Sequence, residues 1–226
     1  ESFISNAYNV VYHNFKSLDG EAITSNISFN RKKDIVQSVD TDNILHIDGQ
    51  IFDDPDGYDD NPGGSGEGGL HMKFATQIGI VNKDGDLSNN NSKLILENST
   101  DFTVIVSATT DYSLDALNFD RSIDPKLKTS EILKKAMVVS FEKAKAEHIA
   151  SHSEMFNRVQ LSLNESFKGT IPTNERLKNV KNGTNDNHLT TLFFQYGRYL
   201  LMGSSANRAT LPANLQGIWN KDMWAA

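Results

Sequence analysis

The sequence predicts an α+β chain, with an antiparallel β-sandwich first and helices after it. Three observations carry this. Up to about residue 118 the apolar residues recur every second position; after it they recur every three or four. Turn clusters separate the period-two stretches. Strands come first and helices second, which argues against alternating βαβ units and a parallel sheet.

The elements follow in order. Ser2-Phe3-Ile4-Ser5 is strand-like, and Val10-Val11-Tyr12, Ile23 to Phe29, Ile44 to Ile47 and Leu94-Ile95-Leu96 are short strand candidates. The clearest strand spans 70–80. Leu70, Met72, Phe74, Ile78 and Ile80 share one face, while His71, Lys73 and Gln77 share the other. That alternation predicts a half-buried strand. Phe102, Val104, Val106 and Ala108 repeat it. Leu18-Asp19-Gly20, Lys83 to Asp86 and Asn89-Asn90-Asn91 supply turns. Residues 53–69, dense in Asp and Gly, form a long interruption.

Past residue 118, Ser130 is positioned to cap a helix with Glu131 at its positive end. Leu133, Ala136, Met137, Ser140, Phe141 and Ala144 then make one buried stripe. Helical character resumes through Ile149, Met155 and Phe156, and Val159, Leu161 and Leu163 alternate briefly. Pro172-Thr173 opens a short helix through Leu177, and 182–186 is a loop. The strongest helix carries Leu189, Leu192, Phe193, Tyr196, Tyr199 and Leu200 and ends at Gly203.

The 226 residues amount to roughly one and a half domains at about 150 residues each. About three helices are too few for a comfortable helical core of their own. Both facts predict a piece of a longer protein, cut at both ends.

Composition excludes several classes. Net charge is −7, and no basic run exceeds Arg31-Lys32-Lys33. Phosphate neutralisation therefore has no obvious surface, which argues against a nucleic-acid partner. No apolar run approaches the ~18 residues of a membrane helix. The absence of cysteine removes disulfides, thiolate nucleophiles and Cys-ligated zinc. Five Asn-any-Ser/Thr triplets, at Asn26, Asn90, Asn98, Asn164 and Asn182, permit N-glycosylation.

Four constellations offer candidate chemistry. Asp53 to Asp60 clusters hard oxygens but lacks EF-hand spacing and a closing Glu, so it reads as a solvated loop with no metal. Gly63 to Gly69 lacks a Lys-Ser/Thr ending and precedes a strand, unlike a phosphate loop. His148 and His152 lie four apart, a ligand spacing, but outside any HExxH; a packing role is expected. The run Leu211 to Asn220 is different: Asn214, Gln216, Trp219 and Asn220 combine amides with an indole. Amides bond hydroxyls in both senses and Trp offers an apolar face to a sugar ring. Packing of Trp219 and Ile218 against the preceding helix remains the alternative.

Phe194 to Ser205 followed by Leu211 to Asn220 closely resembles glycoside hydrolase family 95, the inverting α-L-fucosidases and α-L-galactosidases. Gly68-Gly69-Leu70, Ala108 to Tyr112, His148 to His152 with Phe156 to Val159, and Pro172 to Leu177 extend the resemblance. It implies an N-terminal supersandwich domain (1–118), a helical linker (119–163) and the first helices of an (α/α)6 catalytic barrel (164–226). It implies a general-acid Glu and an Asp that, with neighbouring Asn residues, activates water, all beyond residue 226. No catalytic residue, metal or cofactor is thus assigned within the chain. Asn214, Gln216, Trp219 and Asn220 are the expected substrate-binding residues. A fucosylated or L-galactosylated glycan is the expected substrate, with no nucleic-acid or membrane partner and the oligomeric state open. A secreted, periplasmic or cell-surface location is expected. Ser205 to Thr210 departs from the family's Arg-Pro-Gly turn, with Arg208 in the place of its Arg. The alternatives are a non-catalytic carbohydrate-binding or scaffold sandwich, and a glycoside phosphorylase of similar plan.

Overall fold

The structure, a computed structural model, describes residues 1–31, 33–53, 69–90, 92–164, 169–205 and 212–213. It divides into two compact units, Glu1–Ile149 and Ala150–Ala226.

The first unit holds eleven strands among the described residues: β1 (Ser2–Ser5), β2 (Val10–Lys16), β3 (Ile23–Ile27), β4 (Ile35–Val39), β5 (Leu45–Asp53), β6 (Gly69–Asn82), β7 (Asp86–Asn89), β8 (Leu94–Ser99), β9 (Asp101–Thr110), β10 (Tyr112–Ser113) and β11 (Asn118–Phe119). A six-stranded sheet runs β1-β2-β9-β6-β5-β4 and a three-stranded sheet runs β3-β8-β7, every pairing antiparallel. Leu45, Ile47, Ile78, Ile80, Leu94, Leu96, Phe102 and Val104 fill the space between them. These are alternate positions of each strand, as an inward face requires.

The middle of the other face of the large sheet is buried as well. Helix α1 (Pro125–Met137) and the start of α2 (Phe141–Phe156) contribute Leu133, Ala136 and Ala144 to a second core with Val10, Tyr12 and Ile105. The expectation of a half-buried strand at 70–80 is corrected accordingly. In β6, Ala75 and Gln77 on the face read as solvated are 0% and 4% exposed, because α1 lies on them. Gly79 marks the closest approach: a Cβ there would stand 2.7 Å from Met137 Sδ. Tyr12 completes this layer by donating its hydroxyl to Ala136 O at 3.2 Å.

The start of α1 also differs from expectation. Asp124, not Ser130, is the N-cap; its carboxylate accepts from the N–H groups of Lys126 and Leu127, with Pro125 at the first helical position. Pro is well suited to that position, since its missing N–H would have no partner there. Of the predicted stripe, Leu133, Ala136 and Ala144 are buried and Met137 and Phe141 partly so, but Ser140 is exposed, and the stripe spans two helices broken at 138–140. Ser140 caps the second, accepting from Lys143 N at 3.3 Å.

In the second unit the alternation Val159-Leu161-Leu163 forms no strand. Helix α3 (Thr173–Lys181) opens after Pro172 and runs four residues past Leu177. Helix α4 (Asn187–Ser205) passes Gly203 by two residues. Its apolar side chains are poorly covered: only Leu189 is buried, while Phe193 is 76% and Tyr196 57% exposed.

Candidate functional site

Asn214, Gln216, Trp219 and Asn220 lie outside the described residues, as do 54–68 of the Asp/Gly-rich segment. The structure therefore defines the framework from which each segment departs.

For the first, that framework is α4. Asp186 sits at its N-terminus, accepting from Leu189 N at 3.0 Å. The same carboxylate takes a bidentate bond from Arg176 on α3, with Nε and one terminal nitrogen both at 2.9 Å. Both residues are under a tenth exposed. Planar fork-to-carboxylate pairing fixes orientation as well as distance. The hydrogen bond to Asp186 raises the Arg176 pKa above its ordinary value, so the guanidinium stays charged. It also meets His188 Nδ1 at 2.9 Å.

Arg198 ties the middle of α4 down. It donates to Phe156 O and Val159 O, each at 2.8 Å, and to Gln195 Oε1 at 2.6 Å, with its guanidinium 4.8 Å over the Phe156 ring. Those carbonyls lie at and just beyond the C-terminus of α2, where a cation is favoured. At the far end, Ser204 and Ser205 both donate to Leu201 O. Arg176 through Nε and one terminal nitrogen, and Arg198 through both terminal nitrogens, bond protein acceptors and so hold the scaffold.

The second framework is one end of the sandwich, at Asp111, which the sequence marks only within the stretch Ala108 to Tyr112 that resembles the family. Asp111 is fully buried. It pairs with Arg121, accepts from Lys73 N at 2.8 Å, and its backbone N–H bonds Lys73 O. Arg121 also donates to His71 O and lies 5.1 Å over Phe119. The cluster staples the β10–β11 hairpin to the start of β6. A single Asp after a long apolar strand, with Arg ten residues on, was the available signal. With an arginine and a backbone N–H on its two oxygens, Asp111 is a structural anion. Beside it, Asp53 and Gly69 pair across β5 and β6, so the Asp/Gly-rich segment leaves and rejoins the sheet at one place.

The two histidines spaced four apart both pack. His148 stacks on Phe3 at 4.9 Å; His152 stacks on Phe156 at 5.3 Å and meets Tyr199 edge-on. Among the described residues no group of three or more His, Asp or Glu is placed to hold a metal ion.

Comparison with known proteins defines the class first. Residues 1–115 match the family model described as the glycosyl hydrolase family 65 N-terminal domain, half of the chain. The sandwich is thus of a kind that precedes glycoside hydrolase catalytic domains. Residues 140–226 match the glycosyl hydrolase family 95 catalytic domain. The chain thus opens with a family 65-type N-terminal domain, and its later part is similar to the catalytic domain of glycoside hydrolase family 95. Its relatives include "Alpha-L-fucosidase 2" of Arabidopsis thaliana, 32% identical over 175 residues, covering 74% of this chain and 20% of that protein. "Probable alpha-fucosidase A" of Aspergillus niger is 28% identical over 142 residues (60% and 18%), and that of Aspergillus oryzae 30% over 137 (57% and 19%). The chain spans about a fifth of the length of these relatives.

Proposed function

We propose that the chain is the N-terminal part of an inverting α-L-fucosidase that removes terminal α-L-fucosyl, or α-L-galactosyl, residues from glycans outside the cytoplasm. One observation carries this: the match to the family 95 catalytic domain takes in the Leu211 to Asn220 run that the sequence marks as a sugar subsite. The relatives named as fucosidases support the choice of sugar.

On this reading residues 1–118 are the sandwich, 119–163 the linker and 164–226 the opening of the catalytic domain. Asn214, Gln216 and Asn220 bond sugar hydroxyls, and Trp219 closes one wall. A carboxylic acid beyond residue 226 protonates the leaving oxygen, and a carboxylate across the ring activates water. In an inverting pair the two stand roughly 6.5–9.5 Å apart, leaving room for that water. The open apolar side chains of α4 suit a helix that further catalytic-domain helices cover.

The test uses the whole polypeptide that carries this chain. Gln216→Ala and Trp219→Ala should each raise KM for an aryl α-L-fucoside roughly tenfold or more, the scale of one lost hydrogen bond or ring contact. Unchanged kinetics in both variants would remove the run from the pocket. Strict dependence of turnover on phosphate would instead identify a phosphorylase.

A further inference from the structure

Asn26, Asn90, Asn98, Asn164 and Asn182 each begin an Asn-any-Ser/Thr triplet, and the hydrolase reading uses none of them. All five asparagines are exposed, but the structure holds their triplets differently. A transferase must grip the asparagine amide and the Ser/Thr hydroxyl together, so both must be free of the fold.

The Asn98 triplet is locked. Asn98 has φ +57° and donates its N–H to Thr24 Oγ1. Ser99 is fully buried and donates to Asp84 Oδ1 at 2.9 Å. Thr100 gives its hydroxyl to Asp84 Oδ2 at 2.5 Å and its N–H to Oδ1 at 2.7 Å. The Asn26 triplet begins within β3, with Asn26 facing Ile95 across the ladder.

The Asn182-Gly183-Thr184 triplet is open. It forms the turn after α3, and all three residues are exposed. Only backbone bonds hold it: Asn182 N to Lys178 O, Gly183 N to Val180 O at 2.9 Å, and Thr184 N to Asn179 O at 3.0 Å. Neither the Asn182 nor the Thr184 side chain bonds a described residue. Gly183, at φ +93°, has open space where a side chain would stand. The triplet can thus be engaged, and can carry a bulky polar group, without breaking a packed contact.

We propose that Asn182 is the acceptor of an N-linked glycan, transferred from an oligosaccharide carried on a lipid pyrophosphate. A bond forms between Asn182 Nδ2 and C1 of the first sugar. The bond from that C1 to the pyrophosphate oxygen breaks, the lipid pyrophosphate leaves, and one Nδ2 proton passes to a base of the transferase. The proposal rests on the location outside the cytoplasm given above.

The experiment expresses the full 226-residue chain behind a secretion leader in yeast and maps intact glycopeptides by mass spectrometry. The leader imposes secretion, so a failure of native targeting is not read as a failure of the site. Asn182 should be glycosylated in most secreted molecules, several-fold more than Asn98. Thr184→Ala should abolish the Asn182 glycan while the chain is still secreted. A secreted chain with Asn182 bare, or occupied no more than Asn98, overturns the proposal.

Discussion

Asp84 shows how much one side chain does in this fold. It stands in the turn between β6 and β7, and its carboxylate accepts from the Thr100 hydroxyl, the Thr100 N–H and the Ser99 hydroxyl. Those bonds, the Thr100 hydroxyl first, pull its pKa down to about 2. A depressed carboxylate pKa contributes stability above the unfolded value of about 4 that is lost as pH falls toward 2. Asp84→Asn should therefore flatten the fall in urea midpoint between pH 5 and pH 2, compared with the wild-type chain. Tyr12 acts at the opposite limit. Burial, first, pushes its phenol up to about 12. The unfolded tyrosine ionises near pH 10 while the folded one stays neutral, so this stability is complete below about pH 10 and is lost as pH rises toward 12. Tyr12→Phe should weaken that alkaline loss, read from thermal melts at pH 9 and pH 11.

Among the elements, α1 decides whether the large sheet is a two-sided core. Leu133→Ala, at a residue 1% exposed, should cost about 2–5 kcal/mol by circular-dichroism denaturation. Asp124→Ala, which removes the cap, should cost only ~1 kcal/mol. Equal losses would mean that α1 is held by its cap and not by its packing. The same helix shows what the sequence could and could not disclose. The strands at Ile23, Leu45, Leu70, Leu94 and Phe102 were legible because one face of each meets the inter-sheet core, and that at Val10 because Val10 and Tyr12 meet the core under α1. β4 and β7 were not: Ile35–Val39 and Asp86–Asn89 are short outer strands, and turn signals flank Asp86–Asn89. Gln77 looked solvent-facing because a polar residue beneath a helix keeps the alternating pattern of an exposed one. Asp124-Pro125 went unread since the first turn of α1, Lys126-Leu127-Lys128, has no apolar stripe. The staples Asp111–Arg121 and Arg176–Asp186 join residues ten apart whose meeting depends on the turn between them, which no local period encodes. The proposed sugar subsite was legible only as amide and indole chemistry in the Leu211 to Asn220 run.

At the scale of the whole molecule, two designs meet in one chain. The first unit is well packed: two cores, paired strands, and an ion pair between a buried Asp111 and an exposed Arg121 at one end. The second holds its helix termini with arginines but leaves the ring faces of α4 open. A finished sandwich followed by an uncovered helix fits the match to a family 65-type N-terminal domain and then to a family 95 catalytic domain. It also fits a division of labour in which the chemistry stands beyond the proposed sugar-binding run. Hydrolysis of an aryl α-L-fucoside, followed by proton NMR of the first sugar released, tests that account most directly. The whole polypeptide should release β-L-fucose first, and the 226-residue chain alone should release none. Turnover by the 226-residue chain, or α-L-fucose as the first product of the whole polypeptide, would contradict it.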